Sequence, residues 1–533
     1  MLRIEKQIKF GGMKMPITEI LRHNAEMFGD EISLVEVNPE IREGRREMTW
    51  AGFDEKANRF ANLLLDRGVR EGSKVAILLT NCIEWLPIYF GILRTGALAV
   101  PLNFRNTSDE IRYCLDLAEC DALVFGQEFI ERVGGILDQV PRVGMRLFLG
   151  TGCPEFAESF SELTENSSSE APGIKLSEDM DAVIYFSSGT TGFPKAILHT
   201  HQSLVAACEV EMSHHGQTRE DNFLCIPPLY HTGAKMHWFG SLLSGSKAVL
   251  LKGVKPEWII RTISEESITI AWLLVPWAQD ILDAMDRGDV KPEEHNLSRW
   301  RLMHMGAQPI PPSLIRRWNG YFPDQDYDTN YGLSEAAGPG CVNLGLENSH
   351  KVGAIGTAGH GWQVRIVGED GKTVKQGKVG ELCVKGPGVM KCYFRNPEAT
   401  AEALRDGWLF TGDMAQMDGD GFIHLVDRKK DVIISGGENI YPVQIEDFLR
   451  SHNAVKDVAG IGIPDKRLGE VPAVVIELKP GYNCTREEID EFCRELPRYK
   501  RPRHIIFEDI PRNPTGKIEK PKLRKKHCGS RFM

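Results

Sequence analysis

The sequence predicts an α/β protein: a large N-terminal domain of parallel-sheet α/β subdomains plus a small β-barrel-like subdomain, followed by a small α+β C-terminal domain. Three observations predict it. Apolar segments alternate between helical and strand periodicity through the N-terminal part, which implies βαβ units. From Lys351 to about Val426 the pattern changes to short strands between glycines, and beyond it mixed α and β patterning returns. With 533 residues the chain exceeds what one ordinary core holds.

The elements follow in order. Phe53, Ala57, Phe60, Ala61 and Leu64 recur at helical spacing and stop near Gly68. Val75 to Leu79 is a short apolar strand, and a second helix runs to about Arg94. Val100, Ile111 to Leu117 and Ala122 to Phe125 repeat strand, helix and strand. The serine-rich stretch from Ser161 to Gly173 reads as a surface loop before the strand Val183 to Phe186. Strands follow at Val249 to Leu251, Ile268 to Leu274, Val364 to Val367 and Glu381 to Val384. In the C-terminal part, strands are expected around Ala459, Val474 and Ile506, with a helix near Glu487 to Leu496.

A formal charge of -10 gives no electrostatic reason to bind nucleic acid or an anionic membrane. The one basic cluster, Lys520, Lys522, Arg524, Lys525 and Lys526, reads as a solvated tail. The 12 cysteines show no zinc-ligand spacing, and contexts such as those of Cys225 and Cys383 are apolar, which fits a reducing cytoplasm. The N-terminus carries charges throughout and no apolar h-region, so neither a signal peptide nor a transmembrane helix is expected.

Four segments carry chemistry. Tyr185 to Ala196 contains Ser187, Ser188, Gly189, Thr190, Thr191, Gly192 and Lys195 after an apolar strand. Glycines admit a polyphosphate close to backbone, hydroxyls and N–H groups donate to its oxygens, and the lysine adds charge. The spacing is not that of a Walker loop, since Ala196 follows the lysine. Asn330-Tyr331-Gly332-Leu333-Ser334-Glu335 sets a ring that can stack on adenine beside a carboxylate suited to Mg²⁺. Asp413 is suited to accept from ribose hydroxyls, and Arg428, in a charged stretch from Asp427 to Asp431, can donate to them or to a phosphate. Near the C-terminus, prolines and a glycine frame a loop that presents Lys517. Each segment alone is matched by a plainer alternative: a surface turn, a strand-to-loop junction or a solvated lysine.

Together and in this order, from about Pro16 to Lys526, these segments resemble the adenylate-forming superfamily of acyl-CoA synthetases, firefly luciferase and nonribosomal-peptide adenylation domains. The resemblance implies ATP and coenzyme A as co-substrates, Mg²⁺ as cofactor, and a C-terminal domain that is mobile. It assigns the phosphate loop to Ser187 through Lys195, with Thr190 and Glu335 at the metal. Gly306, Ala307 and Gln308 line the adenine and acyl sites, where Tyr331 stacks. Asp413 holds the ribose, Arg428 opens the C-terminal domain, Lys430 is the hinge, and Lys517 contacts the substrate carboxylate and α-phosphate. His231 stands beside the acyl carboxylate, and Gly436, Gly437 and Glu438 belong to the segment that meets the pantetheine arm. The implied boundaries are 1–427 with the β-rich part at about 351–427, a hinge at 428–430, and 431–533. Ser334 stands where threonine is commoner, and Cys392 replaces the glycine usual before Tyr393.

The window after His231 narrows the substrate. Amino-acid-activating relatives place an aspartate where Thr232 stands, and an ammonium buried without a counter-ion is costly. Gly233 leaves room for a bulky acyl group, and Met236, Trp238, Phe239 and Met305 suit an alkyl, alicyclic or aromatic acid. The expectation is an AMP-forming acid–thiol ligase that acts through an acyl-adenylate, with CoA as acceptor. A carrier protein is the alternative acceptor, and a homodimer is a compatible assembly.

Overall fold

The computed structural model describes residues 14–187, 194–306, 310–512 and 518–528. Two large sheets face each other across a shared layer of helices. The first has eight strands in the order Cys392–Tyr393, Lys195–Thr200, Asp181–Ser187, Leu98–Pro101, Lys74–Leu78, Ala122–Gly126, Met145–Leu149 and Glu158–Ser159. It is parallel except where Lys195–Thr200 turns back on Asp181–Ser187 and receives Cys392–Tyr393. The second has seven, from Asp326–Asp328 through Leu302–Gly306, Ile270–Leu274, Asn222–Cys225, Lys247–Leu251 and Ile32–Val37 to Arg45–Thr49, and only the last pair is antiparallel.

The helix Trp50–Asp66 forms where the sequence periodicity predicts it, with the Thr49 side chain accepting from Gly52 N–H as its N-cap. Trp85–Arg94 is apolar up to its last residue, Arg94, and all ten of its residues are buried. With His201–His214 and Thr232–Ser244, these helices fill one core that contains Val75 and Ile77 from the first sheet and Phe223 and Leu250 from the second. Ligand sites in parallel sheets open at the carboxyl ends of the strands. Asp181–Ser187, Ile270–Leu274 and Leu302–Gly306 all lead there.

The remaining sheets are smaller. Asn330–Leu333, Gly338–Asn343 and Thr357–Ala358 form an antiparallel trio. Gln363–Val367, Gly380–Lys385 and Trp408–Met417 make a half-barrel-like antiparallel sheet, and the long third strand also pairs with Leu404–Arg405 and Ile423–Arg428. A separate C-terminal domain contains Ile433–Ser435, Glu438–Ile440, Val455–Asp465, Gly469–Leu478 and His504–Phe507, packed by Pro442–Arg450, Arg486–Phe492 and Lys520–Cys528. Among the described residues no helix is long and apolar enough to cross a membrane.

Two sequence expectations need correction. The stretch read as a loop begins with the helix Phe160–Glu165, because Ser159 caps it by accepting from Glu162 N–H and Phe160 packs on Phe60. Serine there is a cap rather than a loop residue. The basic cluster is likewise no solvated tail. It forms the helix Lys520–Cys528, which buries Leu523, pairs Lys520 with Glu446 at 2.7 Å and pairs Arg524 with Asp431 at 2.8 Å.

Candidate active site

Ser187 and Lys195 are Cα partners in the antiparallel pair of Asp181–Ser187 with Lys195–Thr200, so these two positions stand side by side. Glu335 reaches this point from a short 3₁₀ turn after the strand Asn330–Leu333. Its Oε1 accepts from the Tyr393 hydroxyl at 2.9 Å and from the Ser187 hydroxyl at 3.3 Å. The Lys195 ammonium lies 4.6 Å from the Tyr393 ring centroid. A carboxylate, two hydroxyls and a cation therefore converge beside the paired residues Ser187 and Lys195. Burial and the neighbouring Glu335 raise the Tyr393 phenol, which keeps it a donor.

The second cluster is built by register. Asp413 and Arg428 are partners across neighbouring strands, and Arg428 Nε donates to Asp413 Oδ1 at 2.6 Å. The Tyr331 hydroxyl donates to Asp413 Oδ2 at 2.5 Å, and Asp413 N–H donates to Thr411 Oγ1. Tyr331 is buried, and burial followed by the Asp413 charge raises its phenol well above the usual range. Arg428 is raised as well, chiefly by Asp413.

Between the clusters, Gly332 is dictated by crowding, since a Cβ there would lie 2.1 Å from the Gly338 carbonyl oxygen. Ser334 is held from two sides: its carbonyl accepts from His199 Nε2 at 2.7 Å, and its hydroxyl bonds to that of Thr232 at 3.1 Å. Gly306 ends its strand where a Cβ would stand 3.4 Å from Trp272 Nε1 and 3.9 Å from Asn330 Oδ1. Asn330 Nδ2 donates to Glu211 at 3.4 Å.

Trp272 leads to a cavity of about 430 Å³ lined by His231, Trp272, Trp277, Phe104, Ile226 and Leu274 among others. His231 caps the helix Thr232–Ser244, its Nδ1 accepting from Gly233 N–H at 3.2 Å. Gly233 backs onto Trp272, because a Cβ would meet the indole at 3.0 Å. Met236 and Met305 are fully buried in the two separate cores, and Trp238 and Phe239 join the aromatic cluster of Phe53 and Phe90. Of the four acyl-pocket candidates, His231 lines this cavity.

The sequence model of the AMP-binding enzyme family matches residues 21–394, and that of the AMP-binding enzyme C-terminal domain matches 444–517. The chain belongs to the AMP-binding enzyme family. It falls in the acyl-CoA synthetase branch of these adenylate-forming enzymes. The chain is 31% identical over 516 residues to long-chain-fatty-acid–CoA ligase FadD13 of Mycobacterium tuberculosis, covering 96% of this chain and 98% of that protein. It is 33% identical over 492 residues to feruloyl-CoA synthase of an Amycolatopsis species, covering 91% and 95%. The anthranilate CoA ligase AuaEII, solved with anthranoyl-AMP, superposes with a TM-score of 0.86 at 26% identity, covering 96% of this chain and 97% of that one.

In this AMP-binding enzyme, Lys430 is exposed and lies in the 3₁₀ turn Lys429–Asp431 between the half-barrel and the C-terminal domain. Gly436 and Gly437 form the two-residue turn of the hairpin Ile433–Ser435 and Glu438–Ile440, with φ of +60° and +89°, and Glu438 is exposed. Ser188, Gly189, Thr190, Thr191, Gly192, Ala307, Gln308 and Lys517 lie outside the described residues. Arg512 and Ile518, on either side of the Lys517 segment, pair with each other.

The sequence pattern missed Tyr393, Thr411, His199 and Trp272. Thr411 stands in the motif from Asp406 to Asp413 but drew no role there, and the other three stand in no glycine-rich motif; Tyr393 reaches Glu335 across 58 positions of chain through its strand pairing with Ile197. That pairing also accounts for Cys392. It is extended opposite Leu198 with no positive φ, so nothing in the backbone requires glycine.

Proposed function

We propose that this enzyme activates an apolar alkyl, alicyclic or aromatic carboxylic acid as its acyl-adenylate and transfers the acyl group to coenzyme A. The observation that carries this reading is a chain of near neighbours: Asp413 bonds Tyr331, Asn330 adjoins it, and Gly306 lies between Asn330 and Trp272, a wall of the His231 cavity. This proximity suits a carboxylate that binds ribose beside a mainly apolar chamber that takes the acyl group. The names of the relatives, a fatty-acid ligase and two aromatic-acid ligases, agree with that chamber.

A carboxylate is a poor acyl donor because its leaving group would be oxide. Attack of its oxygen on the α-phosphorus expels pyrophosphate and installs AMP as leaving group. The thiol sulfur then attacks the acyl carbon, AMP departs, and the thioester remains. Catalysis rests on positioning and charge stabilisation. Ser187 through Lys195 hold the phosphates, Asp413 the ribose, Tyr331 the adenine, and His231 the acyl carboxylate. Glu335 and Thr190 suit Mg²⁺, since hard carboxylate and hydroxyl oxygens are its preferred donors, and the ion offsets phosphate charge. The domains divide at 427 and 431 around Lys430, so that rotation exchanges Lys517 for the Gly436–Glu438 hairpin. The amino-acid reading is disfavoured because Thr232, whose hydroxyl is hydrogen-bonded with that of Ser334, offers no counter-charge.

Pyrophosphate exchange across a panel of carboxylic acids, followed by mass detection of acyl-CoA, tests the reading. Exchange with an apolar acid and the matching thioester are expected. Exchange with α-amino acids alone refutes the substrate class, and adenylate that reaches only a carrier-protein thiol refutes the acceptor.

A further inference from the structure

A cluster of ionisable side chains beneath the site takes no part in this chemistry. The C-terminal end of the helix His201–His214 brings His214, and the next residue brings His215. The neighbouring parallel strands Leu302–Gly306 and Asp326–Asp328 bring His304 and Asp328, which are Cα partners. One ligand atom from each of the four lies within 4.8 Å of the others, and all four residues are buried, three of them at 0% exposure. His215 Nε2 and His304 Nδ1 are 3.0 Å apart, and His214 Nε2 and Asp328 Oδ2 are 2.6 Å apart. Those last two atoms face each other as a buried pair, whereas His214 Nδ1 has no hydrogen-bond partner among the described residues. Buried polar atoms are rarely left so.

The surroundings orient these groups as a second layer orients metal ligands. Asp328 Oδ1 accepts from the N–H of Thr329 at 2.7 Å and of Gly345 at 3.2 Å, which turns Oδ2 toward the histidines. Behind the His215 ring, Glu211 Oε2 lies 3.6 Å from its Nδ1 and 2.7 Å from His237 Nδ1. A carboxylate behind the far nitrogen of an imidazole is the usual partner of a metal-bound histidine.

We propose that His214, His215, His304 and Asp328 bind one divalent transition-metal ion, best matched by Zn²⁺, as a structural cation beneath the nucleotide and acyl sites. Three imidazoles and a carboxylate form a closed four-ligand set of the kind zinc takes. Mg²⁺ is a poor match because it prefers oxygen ligands and retains water. The ion would fix two strand ends that lead into the site. His304 precedes Gly306 by two residues, Asp328 precedes Asn330 by two, and His237 packs on Trp272 at 4.4 Å.

The test is titration of chelator-treated full-length protein with Co²⁺, then with Zn²⁺. One Co²⁺ per chain is expected, with the intense visible bands of a tetrahedral N/O site and without the near-ultraviolet thiolate band that cysteine ligation would give. Zn²⁺ should displace it and raise the melting temperature. Asp328→Asn and His304→Gln should each abolish both responses. The wild-type titration decides the matter even where a variant misfolds: no stoichiometric cobalt spectrum, or a thiolate spectrum, overturns the assignment. So does equal binding by both folded variants.

Discussion

The Tyr331 hydroxyl and the Arg428 guanidinium each take one oxygen of Asp413, at 2.5 and 2.6 Å. In the proposed reaction a ribose hydroxyl would share these oxygens with Arg428 and Tyr331. Asp413→Asn keeps the shape but removes the charge, and charged hydrogen bonds contribute about 1.5–3 kcal/mol. The expected result is a rise in KM for ATP of about tenfold to a hundredfold in pyrophosphate exchange, with KM for the acid little changed. An unchanged KM for ATP removes Asp413 from the nucleotide site.

Glu335 is held through one oxygen by Ser187 and Tyr393. Glu335→Gln should increase the Mg²⁺ concentration needed for half-maximal adenylation, because a carboxamide lacks the charge a hard cation selects. Tyr393→Phe should show a smaller effect of the same kind, since it loosens the carboxylate without removing it. A Mg²⁺ dependence identical in all three proteins takes the metal role away from Glu335.

Much of this arrangement was legible in the sequence, and the reason is local. The helix Trp50–Asp66 and the strand Lys74–Leu78 follow from periodicity over neighbouring residues. Asp413 and Tyr331 stand in recognisable motifs. What joins them was not legible. The contact of Tyr393 with Glu335 and of Trp272 with Gly306 comes from strand order and register, which a linear pattern does not encode. The same holds for Met236, whose apolar character suits a pocket or a core equally and which lies in the core.

Stability should fall on acidification before the carboxylates titrate. Burial lowers both His199 and His201 from 6.5 to about 4, and His201 Nδ1 has no hydrogen-bond partner among the described residues. The unfolded chain then binds protons that the folded state refuses, so stability is fully present above pH 6.5 and is lost as pH falls toward 4. Each group contributes about 3 kcal/mol over that range. His201→Gln should flatten the decline of melting temperature between those limits, and an unaltered slope shows that His201 is not a source.

Lys517 should matter in one half-reaction only. Its positive charge would meet the negative charge that develops on the α-phosphate during adenylation, and the thiol transfer has no such demand. Lys517→Ala is expected to slow acyl-adenylate formation by about a thousandfold, close to the effect of removing one transition-state donor. CoA transfer from supplied acyl-adenylate should change far less. Equal losses in the two steps contradict the role.

The hairpin at Gly436 and Gly437 separates a passage for CoA from a plain turn. Both glycines have positive φ, so any L side chain there is strained whatever room it has. Space differs between them. A Cβ on Gly437 meets nothing within 4 Å, whereas one on Gly436 lies 3.1 Å from Leu468. Asparagine tolerates positive φ better than other L residues, so Gly437→Asn should fold and lose less in melting temperature than Gly437→Trp. Gly437→Trp adds bulk into open space at the same torsion and should lose some stability. If the pantetheine arm runs past this turn, the tryptophan variant should still release pyrophosphate with substrate acid and retain bound acyl-AMP, yet form little acyl-CoA. The asparagine variant should show a milder defect in the same step. Lys430→Pro should give the same split by restricting the torsions about which the C-terminal domain turns. A folded Gly437→Trp enzyme with normal CoA transfer would falsify the passage and leave the two glycines as turn residues only.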